Sequence, residues 1–317
     1  MRGMTRFVVC GETLIDLVRS GTDQPTSFRS AWEALSAGGP MNSAVALGTL
    51  GADVQYLGRL SDDAFGPQLR AHIEEAGVGL ELSTESSQAT SIAVVSLDAQ
   101  GVATYTFHFN DTANFGWRPE ELPALGDDDW LHIASLSCVV SPGNEVLLDW
   151  METVRSGVSY DINVRPTVIT DPAVYWARVE PWLEAVGRRD GILKASDVDI
   201  AFLAAAAGGS DPLAIVTGWV ERYGLGLAVV TLGADGAVAV EPGGRVTKVP
   251  GFPTDVVDTV GAGDTFMAGF LEAKVGQELP LEDSLRRGAA AAAIVCSRQG
   301  AQPPTSAEVD ALVARGA

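Results

Sequence analysis

The run Asp258-Thr-Val-Gly-Ala-Gly-Asp264 sets two glycines and a carboxylate at the head of an apolar-periodic segment. Phe266, Met267, Phe270, Leu271 and Val275 recur at helical spacing, which predicts a helix beginning at about Gly263. Gly261 and Gly263 lack Cβ atoms, so successive amides there can point at one spot, where the helix dipole is also positive. Such a cradle suits a transferring phosphoryl group. Asp264 at its rim is placed to accept a proton from a hydroxyl attacking the phosphorus. Taken alone, a Gly-x-Gly-Asp reads more simply as a turn with a capping aspartate. The segment has neither the Gly-Lys-Ser/Thr of a Walker loop nor a dinucleotide fingerprint, and protein-kinase signatures are absent.

Other polar residues stand where a ligand is a natural partner. Asp16 interrupts the apolar strand Leu14-Ile-Asp-Leu-Val18, and a carboxylate there needs a partner; an outward-facing strand aspartate is the plainer alternative. Asn42 follows Gly38-Gly39, where backbone can approach a ligand closely, and its amide both donates and accepts; by position alone it reads as a helix-start residue. Asp161-Ile-Asn-Val-Arg165 lies at the end of a predicted strand, with a surface ion pair the simple alternative for the arginine. Val229-Val-Thr-Leu-Gly-Ala-Asp-Gly236 reads as a buried strand entering a glycine turn.

The elements that must hold these residues alternate. Strand-like runs at 53–57, 130–134 and 158–162 are followed by helical patterns at 64–76, 145–154 and 174–186, which predicts an α/β domain with a parallel sheet and ligands beyond the strands' carboxyl ends. Two stretches break the rhythm. Residues 12–36 are β-like without a helix, and residues 88–112 contain a hairpin, Ser91–Leu97 and Val102–Phe109, turning at Asp98-Ala-Gln-Gly101. Both are read as a small β lid inserted into a single domain spanning 1–317; an edge hairpin without a function fits the pattern equally well.

With 317 residues, the chain is long enough for one large domain and too short for two comparable ones. Acidic residues number 41 against 21 basic, a formal charge of -20, so nucleic acid and anionic membrane surfaces are disfavoured partners. An anionic nucleotide remains admissible if a divalent metal and oriented amides overcome the repulsion locally. Cys10, Cys138 and Cys296 show no pairing or zinc spacing and suit a reducing compartment. The apolar runs Phe7–Cys10 and Ala289–Cys296 are too short to span a bilayer. A soluble, cytoplasmic protein is expected.

Asp258–Asp264 resembles the D-T-x-G-A-G-D signature of the ribokinase (PfkB-type) family of carbohydrate kinases, and Gly38-Gly-Pro-Met-Asn-Ser-Ala-Val-Ala-Leu-Gly resembles its N-terminal G-G-x-x-x-N-x-A signature. The likeness runs from Gly11-Glu12 to Gly300-Ala-Gln302. It implies a ribokinase-like three-layer sandwich, a central mostly parallel sheet flanked by helices, with a β-sheet lid. It implies Asp264 as catalytic base and the amides of Gly261, Ala262 and Gly263 as anion hole; Asp16, Gly38, Gly39 and Asn42 would bind the sugar. Asp161–Arg165 is similar to the D-x-N-x-R segment of fructokinases and ketodeoxygluconate kinases, assigning Asn163 and Arg165 to the substrate. Lys194-Ala-Ser-Asp-Val-Asp199 resembles the fructokinase form of an N-x-x-E motif, which gives Lys194 and Ser196 to the nucleotide and Asp199 to Mg²⁺ through water. Thr231, Gly233 and Gly236 match a nucleotide-side T-L-G-x-x-G loop. The helix at 289–296 would wall the adenine. Asp258, the Val260 carbonyl and Gly300 match a monovalent-cation site for K⁺, although Pro303-Pro304 departs from the serine-bearing loop.

The implied reaction moves the γ-phosphate of ATP to a primary hydroxyl of a neutral sugar. In ketodeoxygluconate kinases, arginines in the second lid strand are expected to meet the substrate carboxylate; here that strand ends in His108-Phe-Asn-Asp-Thr-Ala-Asn114 without a cation, which favours a neutral sugar, and the resemblance, nearest to fructokinases, implies fructose. A 2-keto-3-deoxygluconate kinase, a ribokinase or nucleoside kinase, and a catalytically silent sugar-binding regulator are the alternatives; a dinucleotide oxidoreductase lacks its fingerprint after the first strand. An apolar lid face with open edges predicts a homodimer through the lid.

Overall fold

The computed structural model describes residues 5–19, 26, 28–97, 103–205 and 211–316. In chain order the first elements are β1 (Arg6–Cys10), β2 (Leu14–Arg19), β3 (Trp32–Ala37), α1 (Gly39–Thr49), β4 (Val54–Leu57), β5 (Arg59–Ser61), α2 (Gly66–Glu75), β6 (Thr84–Ser86), β7 (Ser91–Leu97) and β8 (Ala103–His108). They are followed by β9 (Asp129–Ala134), α3 (Gly143–Met151), β10 (Gly157–Asp161), α4 (Pro172–Gly187), β11 (Ile192–Ser196), α5 (Asp197–Ala204), α6 (Pro212–Tyr223) and β12 (Leu227–Thr231). The chain ends with β13 (Ala237–Glu241), β14 (Arg245–Val249), α7 (Ala262–Leu271), α8 (Leu281–Cys296) and α9 (Ser306–Arg315).

Among the described residues eight strands form the main sheet, in the order β14-β13-β12-β11-β10-β9-β1-β4. The six from β12 to β4 are mutually parallel, while β13 and β14 close one edge as an antiparallel hairpin. Period-two alternation splits the core into two layers. Val8 and Cys10 of β1 pack with Leu147, Trp182, Ile200 and Val216 of α3 to α6. Phe7 and Val9 pack with Leu47, Ile73, Phe270 and Leu285 of α1, α2, α7 and α8. Burial on both faces is why these strands read as unbroken apolar runs, since each large side chain removed from water adds roughly 1.5–3 kcal/mol. The helix predicted from Val174 starts earlier, at Pro172, because Asp171 caps it by accepting from the Ala173 amide at 2.8 Å and proline suits the first helical turn.

The four remaining long strands form a second sheet, β3-β2-β7-β8. β2 runs antiparallel to β3 and parallel to β7, and β7 pairs with β8 from Ile92 opposite His108. The predicted turn at 98–101 lies outside the described residues. Asn114 ties this sheet to the body: its Oδ1 accepts from the Thr13 amide at 3.1 Å, and its Nδ2 donates to the Thr13 carbonyl and to Ser91 Oγ. Asp63 adds a second tie, accepting from Thr90 N and Oγ1, both at 2.8 Å.

Candidate active site

Because β1, β9, β10 and β11 run parallel, their carboxyl ends open on one edge of the main sheet. A cleft of about 380 Å³ lies there, between that edge, the heads of α1 and α7, and the inner face of the small sheet. Asp16, Gly38, Gly39, Asn42, Asn163, Arg165 and the run Val260–Asp264 all line it.

Asp264 is the third residue of α7, yet its carboxylate does not cap the helix. Oδ2 accepts from Asn42 Nδ2 at 2.9 Å and Oδ1 from Asn163 Nδ2 at 3.4 Å. Two neutral amides therefore hold the group, and it is buried at the floor of the cleft without a direct ion pair among the described residues. Burial pushes its pKa above the ordinary carboxylate value, while the Asn42 hydrogen bond and the charges of Lys194 and Arg165 pull it back. Gly261 precedes the helix in a left-handed conformation, φ 75°, where a Cβ would strike Ala301. The first-turn amides of α7 have no acceptors within the helix. Within the expected three-amide hole, the Ala262 N–H donates to the Thr259 carbonyl at 3.2 Å, a contact made by the turn itself.

Glycine at 38 and 39 is a packing requirement. A Cβ at Gly38 would stand 2.5 Å from the Glu12 carbonyl, and one at Gly39 would stand 2.8 Å from Asn163 Nδ2. Asn163 adopts φ 44°, uncommon for a residue with a side chain. Its Oδ1 accepts from Arg165 at 2.6 Å, so asparagine and arginine face the cleft as one unit. Across the cleft, burial raises Asp16 to about 6 and the Arg165 charge opposes that rise.

The Lys194–Asp199 motif spans the end of β11 and the start of α5. Ser196 and Asp199 form a capping box at the start of α5, Asp199 Oδ2 accepting from Ser196 N and Oγ at 2.7 Å each. Asp199 Oδ1 accepts from the Val164 amide at 2.9 Å, so each oxygen accepts from the protein and the carboxylate keeps acceptor capacity. Lys194 lies buried below the Gly263 loop in an ion pair with Asp161, Nζ to Oδ2 2.8 Å, outside the open cleft. Ser196 and Thr231 are register partners on β11 and β12, with Gly233 and Gly236 in the turn beyond. Asp258 Oδ1 accepts from the Val260 amide at 3.0 Å and Oδ2 from the Gly300 amide at 2.9 Å, which brings the two loops of the expected cation site together. Among the described residues no group of three or more His, Cys, Asp and Glu forms a metal cage.

Residues 4–308 match the model of the pfkB family carbohydrate kinases. The chain belongs to this family. A fructokinase of Rhizobium leguminosarum bv. trifolii is 35% identical over 84% of this kinase and 78% of its own length, and one from Klebsiella pneumoniae is 30% identical over 86% and 85%. The solved structure of a Xylella fastidiosa fructokinase with bound ATP superposes with a TM-score of 0.83 at 27% identity, covering 98% of each chain. A Vibrio cholerae O395 fructokinase in a fructose, ADP and calcium ion bound form superposes equally well at 24% identity, covering 98% and 99%, a likeness of fold. The fold is ribokinase-like, and the protein is a sugar kinase.

Several cleft residues of this kinase escaped the sequence reading. Glu12 is buried behind Gly38, its Oε2 accepting from Ser137 Oγ at 2.8 Å and Ser137 N at 3.1 Å, which fixes the loop after β9 against that after β1. Its sequence signal was the Gly11-Glu12 pair at which the family likeness begins. Tyr105 and Phe107 of β8 form an aromatic wall of the cleft, centroids 6.1 Å apart. Their spacing of two predicted a shared face, but the strand pattern could not say that it faces the site. Among the described residues no helix is long and apolar enough to cross a membrane.

Proposed function

We propose that this kinase transfers the γ-phosphate of ATP to a primary hydroxyl of a neutral sugar, fructose first among them. The observation that carries the reading is the Asp264 carboxylate, held by Asn42 and Asn163 on the cleft floor beside the leading turn of α7. In the reaction the sugar oxygen bonds to the γ-phosphorus as the bridging bond to the β-phosphate breaks, ADP leaves, and the hydroxyl proton passes to Asp264. The amides of Gly261 and Gly263 receive the phosphoryl oxygens, and the Ala262 amide joins them if the Thr259 contact opens. Asp16, Asn42 and the Asn163–Arg165 unit bind hydroxyls, and Tyr105 with Phe107 covers a C–H face.

Mg²⁺ fits as an ion carried in on the phosphates with water completing its shell, since such ions need at most one or two carboxylates and the motif carboxylate here keeps acceptor capacity. It supplies charge neutralisation on the transferring group. K⁺ is assigned to the Asp258–Gly300 loops, and the nucleotide to the Thr231–Gly236 side. The β2-β3-β7-β8 sheet acts as the lid of a single 1–317 domain. Phe28, Trp32 and Leu35 are exposed on the β3 side of it and provide a face for a second copy; a monomeric mass in light scattering at micromolar concentration would remove the dimer. Unpaired cysteines, two of them buried, suit the cytoplasm.

Fructose as first substrate follows from the fructokinase relatives and from an aromatic, cation-free lid wall. A coupled ADP-release assay over neutral sugars and sugar acids tests it. Fructose should give the highest kcat/KM, with the product phosphate on the 6-hydroxyl by NMR; a sugar acid or a nucleoside turning over faster would replace this substrate assignment.

A further inference from the structure

Lys194 and Asp161 are direct register partners on adjacent parallel strands, and their side chains are 3% and 1% exposed. Their neighbours along those strands, Val158, Tyr160, Leu193 and Ala195, belong to the apolar core. Lys194 Nζ donates to Asp161 Oδ2 at 2.8 Å, while Asp161 Oδ1 is buried with no hydrogen-bond partner among the described residues. A buried ion pair with an oxygen left over is costly, and an apolar pair of like volume is commonly as stable. Packing therefore gives no reason for it. Position does: a Cβ on Gly263 would lie 2.9 Å from Lys194 Nζ. The ammonium presses on the covered side of the loop whose open side faces the cleft.

The charged groups around this point are few. Asp161 of β10, Asp199 of α5 and Asp264 of α7 face Lys194, and together they outweigh the burial that opposes its charge. His132 of β9 faces it too and stays neutral, its pKa pressed down to about 3 by burial and by Lys194. Asp264 itself faces two cations, Lys194 and Arg165, the carboxylate of Asp161 and the amide of Asn42.

We propose that Lys194 and Asp161 are positioning residues for phosphoryl transfer: Asp161 clamps the Lys194 ammonium beneath Gly263, where it makes the cradle positive from below and keeps the buried Asp264 carboxylate ionised. The inference rests on the reading of Asp264 as base and of the Gly261–Gly263 loop as phosphoryl cradle. Lys194 acts through the loop and through Asp264.

The test compares Lys194→Met, Lys194→Arg and Asp161→Asn in the full-length enzyme, with thermal unfolding alongside pH profiles of kcat and the sugar KM. Lys194→Met should lower kcat by ~10²–10³-fold with little change in sugar KM. Its acid limb should move to higher pH by about one unit or more, because losing a nearby cation raises the Asp264 pKa. Lys194→Arg should return the limb towards its wild-type position. Asp161→Asn should lower kcat and move the limb the opposite way, since it removes a carboxylate and frees the ammonium for Asp264. Opposite displacements are not produced by mere loosening of the fold. A folded Lys194→Met enzyme with an unmoved acid limb overturns the proposal, whatever its kcat. If that variant does not fold, Asp161→Asn decides, and a limb that stays or rises overturns it. Asp264→Asn run in parallel separates the two levels: full turnover there sinks the underlying reading, whereas a silent Asp264→Asn beside unmoved Lys194 and Asp161 variants sinks this inference alone.

Discussion

At the scale of single residues the site is a set of carboxylates whose burial works against their charge. Asp16 is the clearest case, its pKa raised to about 6 by burial with Arg165 pulling it down. A carboxyl with a raised folded-state pKa contributes stability that is full below its unfolded value and lost as pH rises through about 6. Asp16→Asn should therefore stabilise the protein at pH near 8 by about 1–3 kcal/mol and hardly at all at acid pH, read by urea unfolding. The same change should raise the sugar KM by about tenfold or more, since charge-assisted hydrogen bonds to hydroxyls are lost. A sugar KM that stays put would remove Asp16 from the binding site. Asp16 was legible in the sequence because a carboxylate in an apolar strand needs a reason. Asp199 carries a second role that is equally physical: Ser-x-x-Asp at a helix start is also a capping box, and only coordinates show which amides its oxygens accept from.

At the scale of elements, two helix heads and a small sheet meet at the ends of parallel strands. The parallel strands and the start of α7 could be read from periodicity, since strands buried on both faces and a helix buried all round leave strong signals. The β13–β14 edge hairpin has its own signal, Pro242-Gly243-Gly244 between two short strand-like runs, which the α/β alternation masks. Which face of β8 meets the cleft was hidden, because alternation defines two faces without saying what each one meets. Asn114 joins the small sheet to the body through Thr13 and Ser91, all three buried. Asn114→Ala strands these partners, so stability should fall by roughly 1–3 kcal/mol. If the small sheet closes over substrate, the sugar KM should rise with kcat less affected; unchanged kinetics in a destabilised variant would mean that the tie serves folding only.

At the scale of the molecule, a net charge of -20 repels the anionic co-substrate that the local cradle attracts. Raising ionic strength from about 0.01 M to 0.15 M shortens the screening length from ~30 to ~8 Å, which screens distant surface charge far more than the cradle. With a salt of a large inert cation, so that any K⁺ effect is held apart, the KM for Mg-ATP should fall; a rise would mean that the field near the nucleotide is positive over a long range. The central claim belongs to one carboxylate in that field. Its most direct test is single-turnover phosphorylation of fructose by Asp264→Asn with both substrates saturating. The account predicts a chemical step slower by ~10²–10⁴-fold with nucleotide and sugar affinities kept. A step at the wild-type rate would contradict it.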